Sequence, residues 1–267
     1  MALSPLVERY DQLIVDLDGC VWIGNEPVDG SVEAVEQLRG AGKRVAFATN
    51  NSRRTAEENV RQLWGMGNQA SVADVVTVGG AMQHLLAETR RGMTAFVIGT
   101  QAMVGHVADA GLKVMNNTDL ASRTDLVIVS GTDQVNYDDV RTASLALRRG
   151  ADFLATSRDP TYPMPDGLWP GTGALLAAVE TASGRKAATV GKPKPQLFFT
   201  ALERLGEGRT LVVGDRLDSD IEAAKRAELD GALVLTGEAT AADAEASKDP
   251  RPVAVADSLL ALVSGQG

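Results

Sequence analysis

A chain of 267 residues, 44% apolar and 23% charged, is long enough to bury the core of one large or two ordinary globular domains. Its net charge of -9 argues against a dedicated nucleic-acid surface, which needs a basic patch, and the single cysteine, Cys20, excludes an internal disulfide. No apolar run reaches membrane-spanning length and residues 1–10 lack an apolar signal core, so a cytoplasmic protein with no membrane partner is expected.

The first element is the run Leu13-Ile14-Val15-Asp16-Leu17-Asp18-Gly19-Cys20-Val21, which reads as a buried strand stopped at Gly19. Asp29-Gly30-Ser31 offers a helix start, and Val32, Val35 and Leu38 follow at helical spacing. Residues 44–48 read as a second strand. Ser52, or a capping box of Thr55 with Glu58, then opens a helix through Val60 and Leu63. Residues 75–78 read as a third strand, so the opening third predicts parallel βαβ units.

A second set of alternations starts near Gly79, with helices over 81–88, 101–110 and 137–149 and strands over 95–98, 126–129 and 153–155. Residues 160–173, rich in Pro and Gly, read as a long irregular loop, and 174–181 as a helix. A third block resumes the opening style, with strands over 188–190, 210–213 and 232–235 and helices over 196–205 and 219–227. The expectation is a doubly wound parallel α/β sheet built from residues 1–78 and 185–267, with a second α/β unit inserted over 79–184.

Chemistry gathers at four strand ends, where open parallel sheets bind their ligands. Asp16 and Asp18 follow the first strand, and two neighbouring buried carboxylates need a cation or protons to offset them. Thr49 and Asn50 end the second strand, where a hydroxyl and backbone N–H groups suit an anionic oxygen. Lys192, in Gly191-Lys192-Pro193-Lys194-Pro195, is fixed by proline before a helix and can neutralise phosphate or carboxylate. Asp215 and Asp220, in Gly214-Asp215-Arg216-Leu217-Asp218-Ser219-Asp220, are hard oxygen ligands suited to Mg²⁺. Each motif alone also fits an ordinary turn, basic loop or helix cap.

Together, in this order, the motifs resemble the haloacid dehalogenase (HAD) superfamily of phosphohydrolases. The matching residues are Asp16-Leu17-Asp18-Gly19, Thr49, Lys192 in Gly-Lys-Pro, and the run from Gly214 to Asp220. Thr49-Asn50-Asn51-Ser52, Asp159-Pro160-Thr161-Tyr162-Pro163 and Gly167-Leu168-Trp169-Pro170-Gly171-Thr172-Gly173 are similar to NagD-like and p-nitrophenyl-phosphatase-like members. The chain departs from the pattern at Cys20, where Thr is frequent, and at Ser157-Arg158-Asp159, where Asn often precedes the Asp.

The resemblance implies a Rossmann-like core with a large α/β cap and Mg²⁺-dependent hydrolysis of a small phosphomonoester. It implies that Asp16 attacks phosphorus and forms an aspartyl-phosphate. Asp18, kept protonated by its acidic neighbourhood, exchanges protons with the leaving alcohol and with water. Asp16, the Asp18 carbonyl, Asp215 and Asp220 hold the metal, while Thr49, Asn50 and Lys192 carry the phosphoryl oxygens. Arg158 and Asp159 are the expected cap contacts to the leaving group. Glycerol 3-phosphate is the favoured substrate, and a homodimer is compatible with this scheme. Phosphotransfer to an alcohol, or a metal-binding domain without activity, are the alternatives. A nicotinamide-dependent oxidoreductase is disfavoured because no full glycine fingerprint follows a strand.

Overall fold

The structure, a computed structural model, describes residues 2–265; Met1, Gln266 and Gly267, at the ends of the expected core segments, lie outside the described residues. The chain opens with a short helix α1 (Pro5–Glu8), β1 (Gln12–Val15), a small hairpin of β2 (Trp22–Ile23) and β3 (Glu26–Pro27), α2 (Ser31–Gly40), β4 (Arg44–Thr49), α3 (Ala56–Gly65) and β5 (Val75–Thr77). The next elements are α4 (Val78–Thr89), β6 (Thr94–Ile98), α5 (Gln101–Asp109), β7 (Lys113–Val114), β8 (Leu126–Val129), α6 (Tyr137–Arg148) and β9 (Asp152–Ala155). A hairpin of β10 (Thr161–Met164) and β11 (Gly167–Pro170) leads to α7 (Thr172–Ser183), β12 (Ala188–Thr189) and α8 (Gln196–Leu205). The chain ends through β13 (Thr210–Gly214), α9 (Glu222–Arg226), β14 (Asp230–Val234), α10 (Ala241–Ala246), β15 (Ala254–Ala256) and α11 (Leu259–Ser264).

Two parallel sheets result. The first has the order β15-β14-β13-β1-β4-β5 and the second β12-β9-β8-β6-β7. Alternation along the strands of the first sheet divides its side chains. Leu13, Val15, Phe47 and Val213 enter one apolar cluster with the α2 residues Val35 and Leu38. Ile14, Ala46, Ala48 and Val212 enter another, which also holds Met82 and Leu86 of α4 and Val97 and Ile128 of the second sheet. The two sheets therefore share one continuous apolar layer through α4. At about 1.5–3 kcal/mol for each fully buried large aliphatic side chain, this layer is a major part of what holds them together. No helix among the described residues is long and apolar enough to cross a membrane.

Four expectations are corrected. The helix read as starting at residue 81 starts at Val78, because the Thr77 hydroxyl accepts from Gly80 N and caps it; the third strand stops there. The helix read over 219–227 opens instead with a π-helical turn, Leu217–Ile221. The strand read as reopening the first block, Ala188–Thr189, pairs with β9 and forms the edge of the second sheet. The segment read as an irregular loop is an antiparallel ribbon with Tyr162 opposite Trp169 and Met164 opposite Gly167. Its prolines are tolerated because a two-stranded ribbon has two edges and leaves half of its N–H positions unpaired.

Candidate active site

Three adjacent strand ends build the site. β1 lies between β4 and β13, with Val15 in register with Phe47 on one side and Val213 on the other. Asp16, whose N–H donates to Val213 O at 2.8 Å, thus emerges level with the ends of both neighbours. Asp215 and Thr49 occupy those ends. Lys192 arrives from the far side of β12, and its ammonium reaches Asp16 Oδ1 at 2.8 Å, Asp220 Oδ1 at 2.6 Å and Ala48 O at 3.0 Å. The contacts to Asp220 and Ala48 are hydrogen bonds, and the one to Asp16 is an ion pair.

Glycines make room for the carboxylates. A Cβ on Gly214 would lie 2.2 Å from Cβ and Cγ of Asp220, so only glycine lets that aspartate fold back onto the strand end. Gly19, at φ +83°, and Gly237 press backbone against Asp215, where a Cβ would come within 2.5 and 2.0 Å of Oδ2. Asp215 Oδ2 accepts from Glu238 N at 2.8 Å, while Oδ1 is buried with no hydrogen-bond partner.

One oxygen each of Asp16, Asp215 and Asp220 lie within 4.8 Å of one another. Burial pushes the Asp16 carboxyl well up, the neighbouring aspartates add to this, and Lys192 opposes it. Burial and Asp220 push Asp215 up to about 8, against the Glu238 N–H and the nearby cations. Burial works to lower Lys192, but Asp16 and Asp220 outweigh it and hold the ammonium charged. Three buried carboxylates facing one lysine leave a deficit of positive charge. An all-oxygen donor set with an orphaned Asp215 Oδ1 fits a hard divalent cation such as Mg²⁺.

Asp18 stands beside this cluster rather than in it. Its carboxyl is partly exposed and accepts from Thr49 Oγ1, Asn51 Nδ2 and Trp22 Nε1, each at 3.2 Å. A share in metal binding can then come only through its main chain, as the family resemblance implied. Thr49 also accepts from Asn51 N at 2.9 Å, so its hydroxyl links the turn after β4 to the Asp18 loop.

Arg158 departs from its expected place, and Asn50, which lines the cavity, has its side chain engaged elsewhere. The Asn50 side chain accepts from Lys192 N at 2.8 Å and donates to Lys192 O, Asp159 Oδ2 and Ser219 Oγ. It is a bracket between four segments, and its amide has no donor left over for a phosphoryl oxygen. Arg158 does not line the cavity. Its guanidinium donates to Glu180 Oε1 and Ala187 O, both at 2.8 Å, on the flank of the second sheet. Asp159 does line the cavity, where burial pushes its carboxyl up while Arg216 and Asn50 pull it down.

Arg216, Arg53 and Tyr162 are cavity residues that received no role from the sequence. The Arg216 guanidinium is mostly buried and faces Glu238 at 3.3 Å, Asp218 at 3.1 Å and Asp159 at 3.9 Å. Glu238 in turn accepts from Thr161 Oγ1 at 2.5 Å, so this network ties the β10–β11 ribbon to the first sheet. Arg53 lies 4.2 Å over the Tyr162 ring and pairs with Asp133. Arg216 was visible as a cation inside an acidic motif, but of its partners only Asp218 is local; Asp159 and Glu238 lie in segments remote from it in sequence.

Comparisons with known proteins agree with this geometry. A family model described as haloacid dehalogenase-like hydrolase matches residues 13–113, and a second, HAD-hydrolase-like, matches 189–262. The chain is similar to a D-glycerol 3-phosphate phosphatase of Mycobacterium tuberculosis, 38% identical over 91% of this chain and 67% of that protein. It is also similar to an acid sugar phosphatase of Staphylococcus aureus, 30% identical over 91% of this chain and 93% of the other. The crystal structure of a glycerol phosphate phosphatase from M. tuberculosis in complex with magnesium superposes with a TM-score of 0.86 at 38% identity, covering 98% of this chain and 78% of that one. NagD from E. coli K-12 superposes at 0.79 with 29% identity over 94% and 97% of the two chains. With its two sheets, its strand-end carboxylates and these relatives in agreement, the chain belongs to the haloacid dehalogenase-like hydrolases.

Proposed function

We propose that the protein hydrolyses small phosphomonoesters with Mg²⁺, through an aspartyl-phosphate on Asp16, and that glycerol 3-phosphate is its preferred substrate. The observation that carries the reading is the Asp16 carboxylate, held by Lys192 beside two further buried carboxylates at the mouth of the cavity. Asp16 and Asp215 would hold Mg²⁺. Both oxygens of Asp220 already have partners, Lys192 Nζ and Arg216 N, so Asp220 would add negative charge beside the metal. When bound, the ion supplies the positive charge that lets an anionic nucleophile and an anionic phosphate approach.

An Asp16 oxygen attacks phosphorus, and the bond from phosphorus to the alcohol oxygen breaks. Asp18, partly exposed in the cavity lining, delivers a proton to that leaving oxygen. It takes a proton back from the water that then attacks the phosphoryl group, freeing phosphate and restoring Asp16. Lys192 keeps its charge throughout and offsets the negative charge gathered around Asp16. The β10–β11 ribbon brings Thr161, Tyr162 and Pro163 over the cavity as its cap wall, opposite Arg53. A short polyol suits this mixed polar and aromatic wall, and 38% identity to a D-glycerol 3-phosphate phosphatase supports the choice.

Phosphate release from a panel of small phosphomonoesters, run with Mg²⁺ and with EDTA, tests the reading. Release should require the metal, return when Mg²⁺ is restored, and be highest for glycerol 3-phosphate. No release from any member of the panel would overturn it.

A further inference from the structure

The indole of Trp22 is fully buried, yet its Nε1–H points out of the apolar cluster and donates to Asp18 Oδ1 at 3.2 Å. A buried indole N–H requires an acceptor, and here that acceptor is the carboxyl assigned to proton transfer. The chain between the two residues is built for the contact. Val21 N and Trp22 N both donate to Leu17 O, and Gly19 N donates back to Trp22 O at 2.7 Å, with Gly19 at φ +83° closing the loop. Trp22 then pairs with Pro27 in the small hairpin, and its ring packs in the same cluster as Leu17 and Val21.

We propose that Trp22 is a positioning residue for Asp18, fixing the carboxyl at the angle from which it protonates the leaving oxygen. The proposal rests on the phosphatase reading above. Asp18 has two rotatable side-chain bonds and stands partly in solvent, whereas proton transfer needs heavy atoms within about 2.6–3.2 Å. The other two donors, Thr49 at the end of β4 and Asn51 in the loop after it, both line the cavity that receives the substrate. Trp22 is fully buried in the apolar cluster and lies outside the cavity lining, so it sets the orientation independently of what occupies the cavity.

Leaving groups separate orientation from general damage. An alkyl phosphate expels a strongly basic oxygen and depends on the proton from Asp18. p-Nitrophenyl phosphate expels a stable anion and does not. Trp22→Phe removes the N–H and keeps an aromatic ring in the core. It should lower kcat/KM for glycerol 3-phosphate by about tenfold and for p-nitrophenyl phosphate by about twofold or less. The same ratio should appear when Trp22 alone is replaced by an analogue carrying sulfur in place of the ring N–H, which preserves packing if Trp22→Phe folds poorly. Equal losses on both substrates, or no loss on either, would overturn the proposal. If the unaltered protein released phosphate from neither ester, the phosphatase reading itself would fall instead.

Discussion

Two buried ion clusters, one in each sheet, are near mirror images in charge. In the first, Lys192 faces Asp16 and Asp220, with Asp215 beside them. In the second, Glu180 faces Arg158 and Lys186, and also accepts from Ala187 N at 3.0 Å. Each central group is almost fully enclosed. The difference lies in the surplus partners. Around Glu180 the two cations are 46% and 81% exposed, so water solvates the excess charge and the cluster is complete as it stands. Around Lys192 the carboxylates are 10% and 1% exposed, so their excess charge has no solvent to spread into. A buried cluster whose charges do not balance calls for another ion; one whose surplus is wet does not.

The sharpest break of the unbalanced cluster is Asp16→Asn. It keeps the shape, removes the attacking oxygen's charge and relieves the repulsion that pushes Asp16 up. Turnover should fall by at least about a thousandfold, as for loss of a covalent nucleophile, while resistance to urea stays equal or rises. Measurable turnover near the original rate would remove Asp16 from the mechanism.

Lys192→Met tests the other side of the same cluster. The apolar chain fills much the same volume but leaves Asp16 and Asp220 without their buried counter-ion. Removing one partner of such a pair costs about 3–5 kcal/mol, so the urea midpoint should drop sharply and activity should vanish with it. An unchanged midpoint would mean that the carboxylates are neutralised some other way.

The same contrast explains what the sequence disclosed. Asp16 and Asp215 were legible because each directly follows an apolar strand, where an idle charge is too costly to keep, and Lys192 because prolines fix the turn that carries it. The place of Arg158 and the bracing role of the Asn50 side chain were hidden because their partners are far along the chain: Glu180 is 22 residues from Arg158, and Lys192 is 142 from Asn50. No spacing rule reports such contacts. The β10–β11 ribbon was missed for a local reason. Its prolines read as loop, although Pro165-Asp166-Gly167 between Thr161-Tyr162 and Leu168-Trp169 is a turn between alternating residues. Trp22 carried no signal at all, since a tryptophan in a core looks the same from sequence whether or not its N–H serves a neighbour.

The smallest effects belong to the Glu180 cluster, whose surplus charge is solvated, and they define its role. Arg158→Ala should leave the ranking of phosphomonoester substrates unchanged, because the guanidinium faces Glu180 and not the cavity; a reordered ranking would restore it as a substrate contact. Glu180→Gln should lower stability at neutral pH by about 1–2 kcal/mol, the low end for charged hydrogen bonds, since both cationic partners remain partly hydrated. Its pH dependence has a definite sign. Burial works to raise the Glu180 carboxyl, but the hydrogen bonds from Arg158, Lys186 and Ala187 outweigh it and bring it from 4.5 down to about 2. A carboxyl depressed in the folded protein contributes stability that is complete above its unfolded value and fades as the pH falls toward the folded one. The gap in urea midpoint between the original protein and Glu180→Gln should therefore be widest at neutral pH and close between 4.5 and about 2. Asp16 and Asp215, raised in the folded state, contribute with the opposite sign, but they are common to both proteins and cancel in the difference. A gap that stayed constant across that window would show that Glu180 acts through packing and not through its charge.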